Sequence, residues 1–402
     1  LKTSPASTFS FVESLGIFYA GKLLGDSLGV TRPTVAPDRA GLSAAEHERR
    51  RPRLTATVDG GDVDDDARAD LAAGILRGMS LTRRFAPLVV LLGHGGETVN
   101  NPHAAGLDCG ACCGQTGEVN ARAVAALLNE PAVRDHLRDR GVDVPASTRF
   151  VAGLHVTTTD AIELFDVDEL PPTHRADLAA LRRSLDLAAR RTRAERASRL
   201  GLSDLAPDDL RRALVARARE WSQVRPEWGL AGNASFIVAP REHCRHLDLA
   251  GRAFLHDYRW QEDDGFAVLE LIMTAPMIVT HWINMQYYAS TVDNARYGSG
   301  NKTLHNVVGG KIGVFEGNGG DLRIGLPLQS LHDGTRWVHT PLRLAVFIEA
   351  PRVAIEAVLE KHQAVRSLVE NEWLHLFQID VEERAVRAYR DGSWDARASA
   401  PG

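Results

Sequence analysis

Residues 89–128 read VVLLGHGGETVNNPHAAGLDCGACCGQTGEVNARAVAALL, and they hold three of the chain's four cysteines together with His94. A neutral imidazole and a thiolate are preferred zinc ligands, bound at about 2.0–2.3 Å from the metal. Fourteen residues separate His94 from Cys109, and Asn100-Asn101-Pro102 with several glycines lets that stretch fold back on itself. A helix beginning just after the cysteines favours the thiolate through its positive end. Metal binding by His94 and Cys109 is therefore one chemistry the residues support. A second is thiol–disulfide exchange at Cys109-Gly-Ala-Cys112, with Cys113 as a competing thiol. A third is a closed structural zinc site in which Cys109 and Cys112 join His243 or His246 of "HCRH". The bland alternative is a buried histidine among small apolar cysteines.

The elements around these residues must present them. "RFAPLVVLLGHG" is an apolar run of strand length stopped by glycine, which predicts a buried parallel strand ending at His94. A helix is expected over Glu118–Leu128 and another around "EPAVRDHLRDRG". "TRFVAGLHVTTTDAIELF" predicts a strand that ends at His155 and a threonine run. Arginine-rich helices are expected over about Arg175–Leu200 and Asp208–Val224, with their charges on solvated faces. "NASFIVAPR", "RAFLHDYRW" and the strand–helix–strand pattern after Leu342 complete the alternation. The fold class is α/β, with a mostly parallel sheet flanked by helices and additional helical segments. Sites in such folds form at the carboxyl ends of strands, where His94 and His155 both fall.

Composition narrows the functional classes. Hydrophobic residues make up 44% of the 402 and charged residues 25%, as in an ordinary globular protein. The net charge of −5 gives no basic surface for nucleic acid. Four cysteines are too few for a disulfide framework in a chain this long. "FAVLELIMTAPMIVTHWINM" (Phe266–Met285) has the length of a membrane span, but Glu270, Pro276 and His281 favour a buried core element. "YGSGNKT" lacks the spacing of a phosphate loop, and "EGNGGDLRIG" reads as a turn between strands. Residues 1–30 form a helical segment, 31–66 a linker or solvated excursion, and 67–402 an α/β domain with a subdivision near 175–225. The missing initiator methionine and the opening at Leu1 inside a helical pattern lead us to expect a longer parent chain.

The segment from Gly93, with "GLHVTTTD" (153–160), "VRPEWGLAGNASFIVAPR" (224–241), "IMTAPMIVTHWINMQYYASTVD" (272–293), "GSGNKTLHNVVGG" (298–310) and "GNGGDLRIGLPLQS" (317–330), resembles the DabA family of inorganic carbon transporter subunits. The resemblance runs through most of the chain. It implies a zinc site like that of β-class carbonic anhydrases, in which a Cys-x-Asp motif precedes a histidine and a cysteine. The latter two correspond to His94 and Cys109. No Cys-x-Asp occurs in these 402 residues, so the resemblance is to a carboxyl-terminal portion of the family carrying half of the metal site. His103, Asp108, Cys112, Cys113 and His155 are then expected as supporting rather than ligating groups.

What the resemblance implies for function is CO2 hydration to bicarbonate at Zn2+, within an energy-coupled transporter. The implied partner is a membrane-embedded, proton-conducting, antiporter-like subunit, with this chain peripheral on the cytoplasmic face of the cell membrane. No catalytic side chain is assigned from the sequence. The alternatives remain the Cys109/Cys112 oxidoreductase and a scaffold subunit whose zinc is purely structural.

Overall fold

Helical spacing at the amino end produces α1 (Thr8–Leu15), a 3-10 turn and α2 (Ala20–Ser27). The structure, a computed structural model, describes residues 8–28, 42–55, 60–98, 107–108, 115–219, 227–299, 305–308, 313–316, 322–323 and 325–395. The chain divides into two units. One comprises residues 1–73, 83–229 and 301–324, the other 74–82, 230–300 and 325–402.

In the first unit, α3 (Ala44–Arg49) lies inside the stretch expected as a linker. Ser43 and Glu46 cap it reciprocally, the Glu46 N–H donating to Ser43 Oγ and the Ser43 N–H to the Glu46 carboxylate. Arg51 ties the following residues to Asp166 and Asp168. Then come α4 (Asp65–Gly78), which ends in the second unit, β1 (Leu88–Gly95), α5 (Glu118–Asn129) and α6 (Pro131–Asp139). Pro131 opens α6 at the one position where a missing N–H costs nothing. β2 (Arg149–Val156) and β3 (Ala161–Phe165) follow, then α7 (Arg175–Ala197) and α8 (Pro207–Arg219).

The sheet of this unit has the order β1-β2-β3. β1 and β2 are parallel, with Leu92 opposite Gly153 and His94 opposite His155. β3 returns antiparallel to β2. β2 ends beside His155 at the threonine run, as its pattern predicts, and the chain turns through residues 157–160 into a further strand, with Asp160 in the left-handed region at φ 54°, a conformation its short polar side chain tolerates.

Burial separates the strands. β2 is enclosed, with Phe150, Val151, Ala152 and Leu154 all under 5% exposed. β1 is parallel as expected, but it is not the buried strand the apolar run predicts. Its residues Leu88–Leu91 are half-buried and Leu92 is 46% exposed. The reason is position: among the described residues β1 has a strand neighbour on one side only.

The second unit contains β4 (Ser235–Ala239), β5 (Ala253–Asp257), α9 (Ala267–Thr274), α10 (Pro276–Val292) and α11 (Asn294–Tyr297). Between its segments, the chain of the first unit contributes β6 (His305–Val308), β7 (Gly313–Glu316) and β8 (Leu322–Arg323), an antiparallel set, while residues 317–321, expected as a turn between strands, lie outside the described residues. The second unit then continues with β9 (Leu344–Ile348), α12 (Arg352–Lys361), α13 (Gln363–Glu370), β10 (Leu374–Asp380), β11 (Ala385–Arg390) and β12 (Ser393–Trp394). Its sheet runs β12-β11-β10-β9-β4-β5. The four strands β5, β4, β9 and β10 are parallel, and β11 and β12 close one side antiparallel. This is the mostly parallel α/β sheet expected.

Its core joins Phe236, Val238, Leu344, Val346, Ile348, Leu374 and Leu376 of the strands to Leu269, Ile272, Met273, Met277, Ile355 and Leu359 of the helices. The apolar stretch Asp264–Val292 is thus divided between two roles. It is long and apolar enough to cross a membrane by length and composition. One side nevertheless enters the core, while Leu271, Trp282 and Val292 are at least half exposed on the other.

Candidate metal centre

Glycines decide how His94 is presented. A side chain at Gly93 would put its Cβ 2.4 Å from the Gly117 carbonyl oxygen, and one at Gly117 would meet Gly93 Cα at 2.7 Å. The two backbones therefore touch, and the Gly117 N–H donates to the His94 carbonyl at 2.8 Å. This contact seats the start of α5 on the end of β1. Gly95 does the same for the residue before Gly117, and Gly96 for the segment that leads into Cys109. A Cβ at Gly95 would collide with Thr116, and one at Gly96 with Leu107. Asp108, 8% exposed, accepts a bond from the Gly96 N–H at 2.9 Å.

The register places His94 beside His155 on the same face, about 4.8 Å apart across the ladder. The two imidazoles differ in surroundings. His94 is exposed. His155 Nε2 lies 3.0 Å from Asp160 Oδ1, and Asp160 is 2% exposed. Arg196 of α7 reaches Asp160 at 2.9 Å and Glu227 at 3.0 Å, and it donates to the carbonyls of Thr157 and Thr158. Thr157 Oγ1 donates to Glu227, Thr158 Oγ1 accepts from the Glu97 N–H, and Arg193 donates to the Thr159 carbonyl. The whole turn after β2 is thus bound down, and with it the backbone immediately after Gly96.

Sequence reasoning missed this network because it gave the α7 arginines to solvent. Arg193 is 5% exposed and the Arg196 side chain 21%. Buried carbonyls and carboxylates at the strand ends need donors, and a guanidinium supplies several in one plane. The helical pattern offered a signal, since Ala189, Arg193 and Ala197 share one buried stripe at i, i+4, i+8.

A second buried pair braces α5. Arg122 bonds Glu118 at 3.0 Å and Asp166 at 2.9 Å, and both Arg122 and Glu118 are 3% exposed. Burial works against the charge of Arg122, but Asp166 and Glu118 outweigh it and hold the guanidinium above its ordinary value.

Among the predicted site residues, the structure places His94, Asp108 and His155 at one end of the β1–β2 pair. Cys109, Cys112, Cys113 and His103 lie outside the described residues. Among the described residues no group of three His, Cys, Asp or Glu side chains has the arrangement of a metal site. His243, considered as a partner for the cysteines, has Nδ1 2.9 Å from Glu349 Oε2. The His94 imidazole, at a glycine-rich strand end, suits zinc as one member of a set that needs four ligands.

The family described as "Probable inorganic carbon transporter subunit DabA" matches residues 1–374. The chain belongs to the DabA family. A relative named "Probable inorganic carbon transporter subunit DabA" from Acidithiobacillus ferrooxidans is 55% identical over 399 residues, covering 98% of this chain and 48% of its own. "DabA 1" from Bradyrhizobium sp. is 55% identical over 399 residues, covering 98% and 47%. "DabA2" from Halothiobacillus neapolitanus is 53% identical over 393 residues, covering 98% and 47%. The chain therefore spans about half the length of the curated DabA relatives it matches. No solved structure matches it.

Proposed function

We propose that this DabA chain is the zinc-binding portion of an energy-coupled inorganic carbon transporter subunit, with His94 and Cys109 as two ligands of one ion. The carrying observation is the bond from the Gly96 N–H to Asp108. It holds the residue before Cys109 against the backbone two positions beyond His94. Cys109 is the next residue of the chain.

Zinc held there would act as a Lewis acid that acidifies water, the chemistry CO2 hydration to bicarbonate needs. The chain's own residues prepare the place. His94 offers an exposed nitrogen at the carboxyl end of a parallel pair. Asp160 orients His155, and Arg196 holds Asp160 and the threonine turn so that this end keeps its shape. The remaining ligands come from the length of DabA that this chain does not span. The word "subunit" in the relatives' names supports a partner. We take it to be a membrane-embedded, proton-conducting, antiporter-like protein, with this chain peripheral on the cytoplasmic side of the membrane.

The test is the zinc affinity of a full-length DabA polypeptide that includes this chain, by competition with a chromophoric chelator. His94→Ala and Cys109→Ser should each weaken binding by at least about tenfold. The double variant should bind more weakly than either single one, and far-ultraviolet dichroism should not change. Equal affinity in wild type and His94→Ala would remove the reading.

A further inference from the structure

Residues of β1 alternate in where their backbone groups point. Pro87 and Gly95 accept bonds from the Arg149 and Thr157 N–H groups, so the odd-numbered positions of β1 face β2. The N–H and C=O groups of Leu88, Val90 and Leu92 therefore face the other way. No backbone partner on that side exists for them among the described residues. Only at the far end is the edge used, where the His94 carbonyl accepts from Gly117.

The composition of β1 does not suit an edge. LVVLL is apolar on both faces, the pattern of a strand inside a parallel sheet. Edge strands are ordinarily blunted by charge, proline or brevity. β3, the opposite edge of this sheet, carries exposed Glu163, and β12 of the other unit is two residues long. β1 has eight residues and none of these devices.

We infer that the edge of β1 left unpaired among the described residues receives a further strand, running parallel to it, from the part of the DabA polypeptide outside this chain's span. About half of each relative's length is available to supply it. A second copy of this chain is the poorer occupant. Two β1 strands related by a two-fold axis pair antiparallel, and antiparallel strands with one wet face show alternation, which LVVLL lacks. Parallel addition sets the carboxyl end of the new strand next to His94. The inference stands on the edge itself and does not require the zinc reading.

Amide hydrogen exchange tests it. The 402-residue chain is measured alone and with a second polypeptide consisting of the part of the Acidithiobacillus ferrooxidans relative outside the aligned span. Amides of Val90 and Leu92 should exchange freely in the chain alone and slow by about tenfold or more in the mixture. Those of Leu91 and Gly93 should be protected in both. Val90→Pro removes an outward donor while leaving the ladder to β2, and it should abolish the slowing at Leu92. Unchanged exchange at Val90 and Leu92 in the wild-type mixture overturns the inference. So does protection that arises in the chain alone and rises with its own concentration, which would mean a second copy. Both readouts use the unmodified chain, so they hold even if the proline variant does not fold.

Discussion

The two α/β sheets are stabilised differently. The six-stranded sheet rests on a layer of aliphatic side chains, with Leu344, Val346, Ile348 and Leu374 all 0% exposed. The β1–β2–β3 sheet is held at its strand ends by buried ion pairs, Arg122 with Glu118 and Asp166, and Arg196 with Asp160 and Glu227. It also keeps an apolar strand at its edge. Burying charge is costly unless every partner is present, so such arrangements are found where position matters more than stability. The carboxyl end of β1 and β2 is such a place.

The largest effect should come from breaking an ion pair. Arg122→Met takes away the guanidinium against which Glu118 is buried and should cost about 3–5 kcal/mol in urea denaturation. The double variant Arg122→Met/Glu118→Gln should recover part of that loss. A cost under about 1 kcal/mol for the single change would mean that the first sheet does not depend on these charges.

In the six-stranded sheet the corresponding change is Ile348→Ala, expected to cost about 2–5 kcal/mol by the same measurement. A value near that of a surface site would erase the contrast from the other side.

Acid sharpens it further. His339 is 1% exposed, and its Nδ1 accepts the Gly232 N–H at 2.9 Å. Burial, with help from Arg252, lowers its pKa from 6.5 to about 4. The unfolded chain takes up a proton there first. The penalty is absent above pH 6.5, grows as pH falls, and is complete near pH 4. It amounts to something on the order of 3 kcal/mol. Stability curves for wild type and His339→Gln should therefore converge with falling pH, and parallel curves would contradict the assignment.

The smallest effect belongs to β1. Leu92→Ala, at a residue 46% exposed, should cost no more than about 1 kcal/mol in this chain. A loss as large as that of Ile348→Ala would show the edge already covered.

Much of this was legible beforehand. The helices after Glu118 and Pro131 and the parallel strand ending at His94 follow from periodicity and from the residues that stop it. The Gly93–Gly117 contact was not legible, because a glycine in sequence does not say which backbone it lets approach. Arg193 and Arg196 were misplaced for a related reason. An arginine-rich helix reads as solvated until the carbonyls and carboxylates that call for its donors are located.

The sequence by itself determined the α/β class, the helices after Glu118 and Pro131, and the presence of imidazole and thiol donors with fourteen residues between them, since these depend on local pattern and on residue type. Only the tertiary structure decided that β1 lies at an edge, that His155 is bound to Asp160, and that Asp108 is held at Gly96. Those facts depend on which strands pair and how closely backbones meet, and both are set by contacts between residues distant in the chain.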